Sequence, residues 1–254
     1  MNLKEYLNLW DNYYLDMLSN KIMIPTNTLL LKYYNSYQPI DNIAQKEIEY
    51  IPEPFLGDIE KAKVAIINTN PGNVLPWQNW NTGDVPSKMK TYVNNGSTTP
   101  YSTWAKDFTY FESKEDGGDF WNNRLKYINS ILNTPISKDE LLALEIYPWH
   151  SKRFDINRLE NLDYIFNEFI LSPLSDLKNL KYVFLLRKPA IKAALESGIH
   201  LDLIDANWKS KNLQVYVGKH DSKVFIGTIN NFSGYPTSDS DIQILKDLVN
   251  KYSY

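Results

Sequence analysis

The chain has 254 residues with 43% hydrophobic content, enough to bury a large core in one domain. It contains no Cys, which excludes disulfides, a thiolate nucleophile and Cys-ligated clusters, and its three His are too widely spaced for a metal site. A formal net charge of -3 argues against coating nucleic acid by bulk charge, although a local basic patch remains compatible with it. The absence of a long apolar run and of a signal-peptide pattern leads to the expectation of a cytoplasmic protein with no membrane contact.

In chain order, Leu3, Tyr6, Leu7, Trp10, Tyr14, Met17 and Leu18 recur at spacings of three and four, predicting an amphipathic helix over 3–20. A weaker helical stretch covers 27–37. Residues 51–60 carry Pro52 and Pro54 and read as a loop, since proline removes a backbone donor. Val64-Ala-Ile-Ile is a strand buried on both faces, and Pro71-Gly72 ends it in a turn. Asn70 therefore sits at a strand's carboxyl end, where open parallel sheets bind ligands, but the position equally suits an Asx turn.

The polar segment 73–100, with Trp77 and Trp80, has the length and composition of a binding loop. Helical spacing returns over 102–132, interrupted at Gly117-Gly118. Further strands are predicted at Leu141 to Tyr147, Tyr182 to Leu186 and Val224 to Ile229, with an edge strand at Val215 to Val217. Helices are predicted at 157–177, at 189–197 between Pro189 and Gly198, and at 239–251. Alternation of strands and helices predicts a three-layer α/β/α fold with a central, mainly parallel four-stranded sheet. We expect one domain over 1–254, with residues 1–50 as an N-terminal helical extension packed on it.

Four strand ends carry polar residues: Asn70-Pro71-Gly72, Glu145 to Arg153, Arg187-Lys188 and Asn231 to Tyr235. In that order they resemble the uracil-DNA glycosylase superfamily, especially its mismatch-specific and single-strand-selective monofunctional branches. There a strand runs into Gly-hydrophobic-Asn-Pro-Gly, and a late strand ends in Asn-Pro-Ser-Gly or His-Pro-Ser-Pro. Asn70, Pro71 and Gly72 match the first motif while Asn68 and Thr69 depart from it; Asn231, Ser233 and Gly234 match the second while Phe232 departs from it.

The resemblance implies a glycosylase that hydrolyses the bond between a flipped-out pyrimidine and its sugar, working as a monomer on DNA without a cofactor or metal. Asn70 would orient the attacking water and Asn231 would stabilise the leaving base by a hydrogen bond. Tyr235 would wedge into the base stack, and Trp77, Trp80 or Tyr147 would stack on the extruded base, though core packing suits each of these rings as well. Phosphate contacts would come from Lys152, Arg153, Arg187 and Lys188 and from the turns around Pro71, Gly72, Ser151, Ser233 and Gly234. His150 is a base contact or a structural histidine.

Glu145 is the nearest match to the amide with which the single-strand-selective branch reads uracil, and a structural carboxylate, protonated or salt-bridged, is the alternative. A carboxylate accepts from an exocyclic amine and repels a carbonyl, so the expected base is a modified cytosine, in a setting of repair or of defence against phage. The competing readings are a non-catalytic nucleic-acid-binding module of the same fold and an α/β enzyme acting on a small nucleotide.

Overall fold

A computed structural model of the chain describes residues 1–20, 23–39, 50–72, 94, 100–106, 118–230 and 235–253. The expected binding loop therefore falls outside the described residues except for Asn94 and Pro100, and so do Asn231, Ser233 and Gly234. The helices are α1 (Leu3–Asn20), α2 (Thr28–Asn35), α3 (Pro100–Ala105), α4 (Gly118–Ile131), α5 (Leu162–Phe166), α6 (Ser172–Ser175), α7 (Lys188–Glu196) and α8 (Asp239–Ser253). The strands are β1 (Phe55–Leu56), β2 (Val64–Asn68), β3 (Leu141–Glu145), β4 (Tyr182–Leu186), β5 (Asp202–Leu203), β6 (Gln214–His220) and β7 (Lys223–Ile229).

The chain divides into two compact units. One comprises Met1–Leu56, Thr69–Asp107 and Leu144–Asp176; the other comprises Gly57–Asn68, Phe108–Ala143 and Leu177–Tyr254. The described residues among 1–50 lie in the first unit.

In the first unit, α1 buries Tyr6, Trp10, Tyr13, Tyr14 and Met17, the stripe that its spacing predicts. Asn2 and Glu5 cap its start reciprocally, each accepting from the other's backbone N–H at 2.8 and 2.9 Å. Asn27 caps α2 by accepting from the N–H groups of Leu29 and Leu30. The core here is aromatic, and its tyrosines close their hydrogen bonds on the backbone. The hydroxyls of Tyr14, Tyr33, Tyr101 and Tyr147 donate to the carbonyls of Pro52, Ile146, Phe55 and Tyr34. A buried ring with a satisfied hydroxyl adds apolar area without leaving a polar atom unpaired.

The helix expected over 157–177 is broken. A 3-10 turn, Ile156–Arg158, precedes α5, and a π-helical turn, Asn167–Leu171, separates α5 from α6. Asn161, left-handed at φ 56°, parts the 3-10 turn from α5, while Pro173 accounts for the π turn, because it has no N–H to donate to the carbonyl four residues back and a wider turn absorbs the missing bond.

The strand order of the sheet is β1-β3-β2-β4-β7-β6-β5. In the second unit, β2, β4 and β7 run parallel, with Ile67 opposite Leu185 and Leu185 opposite Gly227. β6 and β7 form an antiparallel hairpin through Asp221 and Ser222, whose φ angles of 47° and 64° suit a tight two-residue turn. β5 pairs antiparallel with β6.

The sheet is thus mixed and seven-stranded, which corrects the expected four-stranded, mainly parallel one. The segment around Val215 is not an edge; it extends over seven residues and lies between β7 and β5. Its backbone donors and acceptors are taken up by both neighbours, a pairing that local sequence does not reveal.

Helices cover both faces of this unit's sheet. A Cβ on Gly227 would lie 2.8 Å from Ile191 Cγ1, so α7 packs on the face that Gly227 shares with Leu185. Tyr127 of α4 meets Phe184 edge-on at 6.1 Å, and Phe184, paired with Ile226, points to the opposite face. α8 runs against α4, where Asn250 Nδ2 donates to Asn133 Oδ1 at 3.1 Å. Gly198, at φ +87°, ends α7 at the predicted stop.

Candidate functional site

β2 buries Val64, Ala65, Ile66 and Ile67 completely, and its exit delivers Thr69 to Gly72 into the first unit. There the Thr69 carbonyl accepts from Tyr147 N at 3.0 Å. The Asn70 side chain then fixes its own loop. Its Nδ2 donates to the carbonyls of Tyr147, at 3.2 Å, and Trp149, while its Oδ1 accepts from Gly72 N at 3.0 Å. Gly72 completes this Asx turn at φ +80°, a region that disfavours a side chain.

Both amide hydrogens of Asn70 are therefore engaged, and one Oδ1 lone pair remains. The residue is half-buried. The geometry contains the turn former anticipated as an alternative, and it also orients a fixed acceptor that a water can meet.

Around this turn the segment after β3 is almost wholly buried. Glu145 is 7% exposed, and its N–H donates to Pro54 O at 3.1 Å. Tyr147 is fully buried, stacked on Phe154 and hydrogen-bonded to the Tyr34 carbonyl. That makes it a core ring, with no face left for an extruded base. Trp149 is buried likewise among Trp10, Tyr33, Tyr34 and Tyr147.

His150 is 1% exposed. Its Nδ1 lies 3.3 Å from the Gly72 carbonyl and its Nε2 lies 3.8 Å from Glu53 Oε1. Burial pushes its imidazole down to about 4, outweighing the carbonyls of Gly72 and Ile51, which act in the opposite direction. Ser151 is buried, with Oγ donating to Arg153 O at 3.0 Å, whereas Lys152 and Arg153 are exposed.

The structure thus brings Asn70, Pro71, Gly72, Glu145, Tyr147, His150, Ser151, Lys152 and Arg153 into one unit. Glu53, 6% exposed with its N–H donating to Pro148 O at 2.9 Å, joins them and was not anticipated. Its sequence signal was a charged residue held between Pro52 and Pro54, which restrict the backbone on both sides.

Arg187, Lys188 and Tyr235 belong to the second unit. Arg187 is exposed at φ +86°, with its N–H donating to Thr228 O at 3.0 Å, and Lys188 opens α7. Tyr235 is stacked on Tyr127 at 4.7 Å and 18°, and its carbonyl accepts from Asn230 Nδ2 at 3.1 Å. Expected as a protruding wedge, the ring is half-buried against α4 in this conformation.

Trp77, Trp80, Asn231, Ser233 and Gly234 lie outside the described residues. Among the described residues no group of three His, Asp or Glu could hold a metal ion, and no helix is long and apolar enough to cross a membrane. No family model, no curated protein and no solved structure matches this chain.

Proposed function

We propose that the chain is a monofunctional DNA glycosylase that hydrolyses the N-glycosidic bond of a flipped-out pyrimidine and leaves an abasic site. The observation that carries this reading is the Asn70 carboxamide, locked at the exit of a buried strand by three hydrogen bonds. A water accepted there is oriented without reorganisation during the reaction, which is how positioning lowers a barrier.

Glycosidic cleavage builds positive charge on the sugar and negative charge on the departing base. Asn70 orients the water, and Asn231 donates to the base. No Lys lies in 64–72 or 230–235, so no Schiff-base route to strand cleavage follows from either motif. Glu145 favours a pyrimidine bearing an exocyclic amine, hence a modified cytosine over uracil. The protein acts as a cytoplasmic monomer, in repair or in defence against phage DNA, with Lys152, Arg153, Arg187 and Lys188 on the phosphates.

The test is incubation with oligonucleotides carrying different modified bases, in single strands and duplexes, followed by alkali to cut at abasic sites. Alkali-dependent cleavage at a modified cytosine supports the reading. Cleavage at plain uracil alone would overturn the specificity and keep the chemistry.

A second reading, a non-catalytic nucleic-acid-binding module, is favoured by one feature: the Asn70 amide is already engaged by the backbone, as in a purely structural turn. Tight binding across the whole panel with no abasic product would establish that reading instead.

A further inference from the structure

The exits of β2 and β3 grip each other through a closed circuit of side-chain hydrogen bonds within the first unit. Asn70 Nδ2 donates to the carbonyls of Tyr147 and Trp149, and Asn70 Oδ1 accepts from Gly72 N at 3.0 Å. The Gly72 carbonyl in turn stands 3.3 Å from Nδ1 of His150, the residue that follows Trp149.

Gly72 depends on both of its bonds. It sits at φ +80°, and a Cβ placed on it would meet nothing within 4 Å among the described residues, so packing does not confine it. Its N–H bond fixes one side of the Cα and its carbonyl bond fixes the other. A glycine released from either would sample a wide range of conformations, and the Asn70 oxygen that receives its N–H would lose its fixed direction.

A carbonyl oxygen only accepts, so the hydrogen in the His150 bond is on Nδ1. Burial pushes the imidazole down to about 4, so at neutral pH the ring is uncharged and carries one hydrogen. Nε2 has no hydrogen-bond partner among the described residues. The Ile51 carbonyl also acts on the ring, Glu53 Oε1 is 3.8 Å from Nε2 and beyond hydrogen-bonding distance, and the Tyr50 ring lies 6.4 Å from that of His150.

We infer that His150 is a positioning residue: as the tautomer protonated on Nδ1 it holds the Gly72 carbonyl, closes the turn and fixes the direction of the Asn70 oxygen. The ring is 1% exposed and acts through Gly72 rather than on a base.

The clamp stands on geometry, whereas its effect on base release rests on the proposed glycosylase activity, and two variants of the full chain separate them. His150→Phe keeps a ring and removes the donor. His150→Asn gives up the ring and keeps a donor, because the amide Nδ2 takes the place of Nδ1. A packing role therefore ranks Phe above Asn, and a positioning role ranks Asn above Phe.

In nitrogen-15 spectra of the wild type at neutral pH, Nδ1 should carry the hydrogen and Nε2 should not. The Asn70 side-chain amide hydrogens should exchange with solvent about tenfold faster or more in His150→Phe, and near the wild-type rate in His150→Asn. A hydrogen on Nε2 instead, unchanged exchange in His150→Phe, or equally fast exchange in both variants would overturn the clamp.

In base release, His150→Phe should lower kcat about tenfold or more with little change in KM, and His150→Asn should restore most of that loss. A kcat in His150→Phe at or above that of His150→Asn would reduce His150 to packing. If no oligonucleotide releases a base, the glycosylase reading fails, and the tautomer and exchange rates still decide the clamp.

Discussion

Asn70 ties the exit of β2 to the backbone of Tyr147 and Trp149, and on the proposed reading its remaining oxygen lone pair orients a water. Asn70→Ala should therefore lower stability as well as activity. Losing these bonds from a half-buried loop is expected to cost roughly 1–3 kcal/mol, read from urea unfolding. Base release should fall at least about tenfold, the equivalent of ~1.4 kcal/mol in the transition state. A variant that unfolds earlier but releases base at the wild-type rate would leave Asn70 with the turn alone.

Tyr235 makes a second test at this scale. Stacked on Tyr127, the ring supports α4, so Tyr235→Ala should cost about 1–3 kcal/mol of stability. Unchanged stability, with activity lost on duplexes and kept on single strands, would return the ring to the role of wedge.

Between elements, two buried aspartates work as clamps. Asp11, on α1, accepts from the N–H groups of Tyr101 and Ser102 and from Ser102 Oγ, each within 3.2 Å, and so caps α3 from a distant helix. Asp11→Ala leaves those donors unmet and should destabilise by roughly 1–3 kcal/mol in thermal or urea unfolding. An unfolding midpoint within error of the wild type would show that α3 does not depend on this cap.

Asp241, at the start of α8, accepts from Lys209 N, Ser210 N and Ser210 Oγ. Burial alone would push its carboxyl up, but these bonds and one from Ser238 together hold it below the ordinary 3.8. With the folded value depressed, the unfolded chain binds more protons in the acid range. This stabilisation is complete above about 3.8 and is lost as pH falls through the folded value. Asp241→Asn should flatten the acid-unfolding profile below that point, and an identical slope in both proteins would contradict the assignment.

For the whole molecule, a net charge of -3 means that any hold on DNA must come from locally placed cations. Lys152 and Arg153, exposed in the same unit as Asn70, are the cations the proposed reading assigns to it. Changing both to Ala should weaken binding about equally across sequences and reduce the slope of log affinity against log salt by about 2, roughly one per lost phosphate contact. Fluorescence anisotropy of a labelled oligonucleotide over a salt series measures this directly. A slope that does not change would move the phosphate contacts elsewhere.

The sequence by itself determined the parts whose burial repeats locally. The α1 stripe, the apolar run of β2, the proline start and glycine stop of α7 and the placing of Asn70 at a strand exit all follow from spacing within a few residues. Tertiary structure decided what depends on distant partners. The sheet grew from four strands to seven because β6 finds β7 on one side and β5 on the other and β1 joins β3 at the opposite edge, pairings of backbone groups that carry little side-chain signature. Tyr147 became core because its hydroxyl meets the carbonyl of Tyr34, 113 positions away. Glu53 came to face His150 only when the loop before β1 was laid beside the segment after β3. An aromatic or a carboxylate has the same local pattern whether it lines a site or fills a core, and the environment that separates the two cases is assembled by folding.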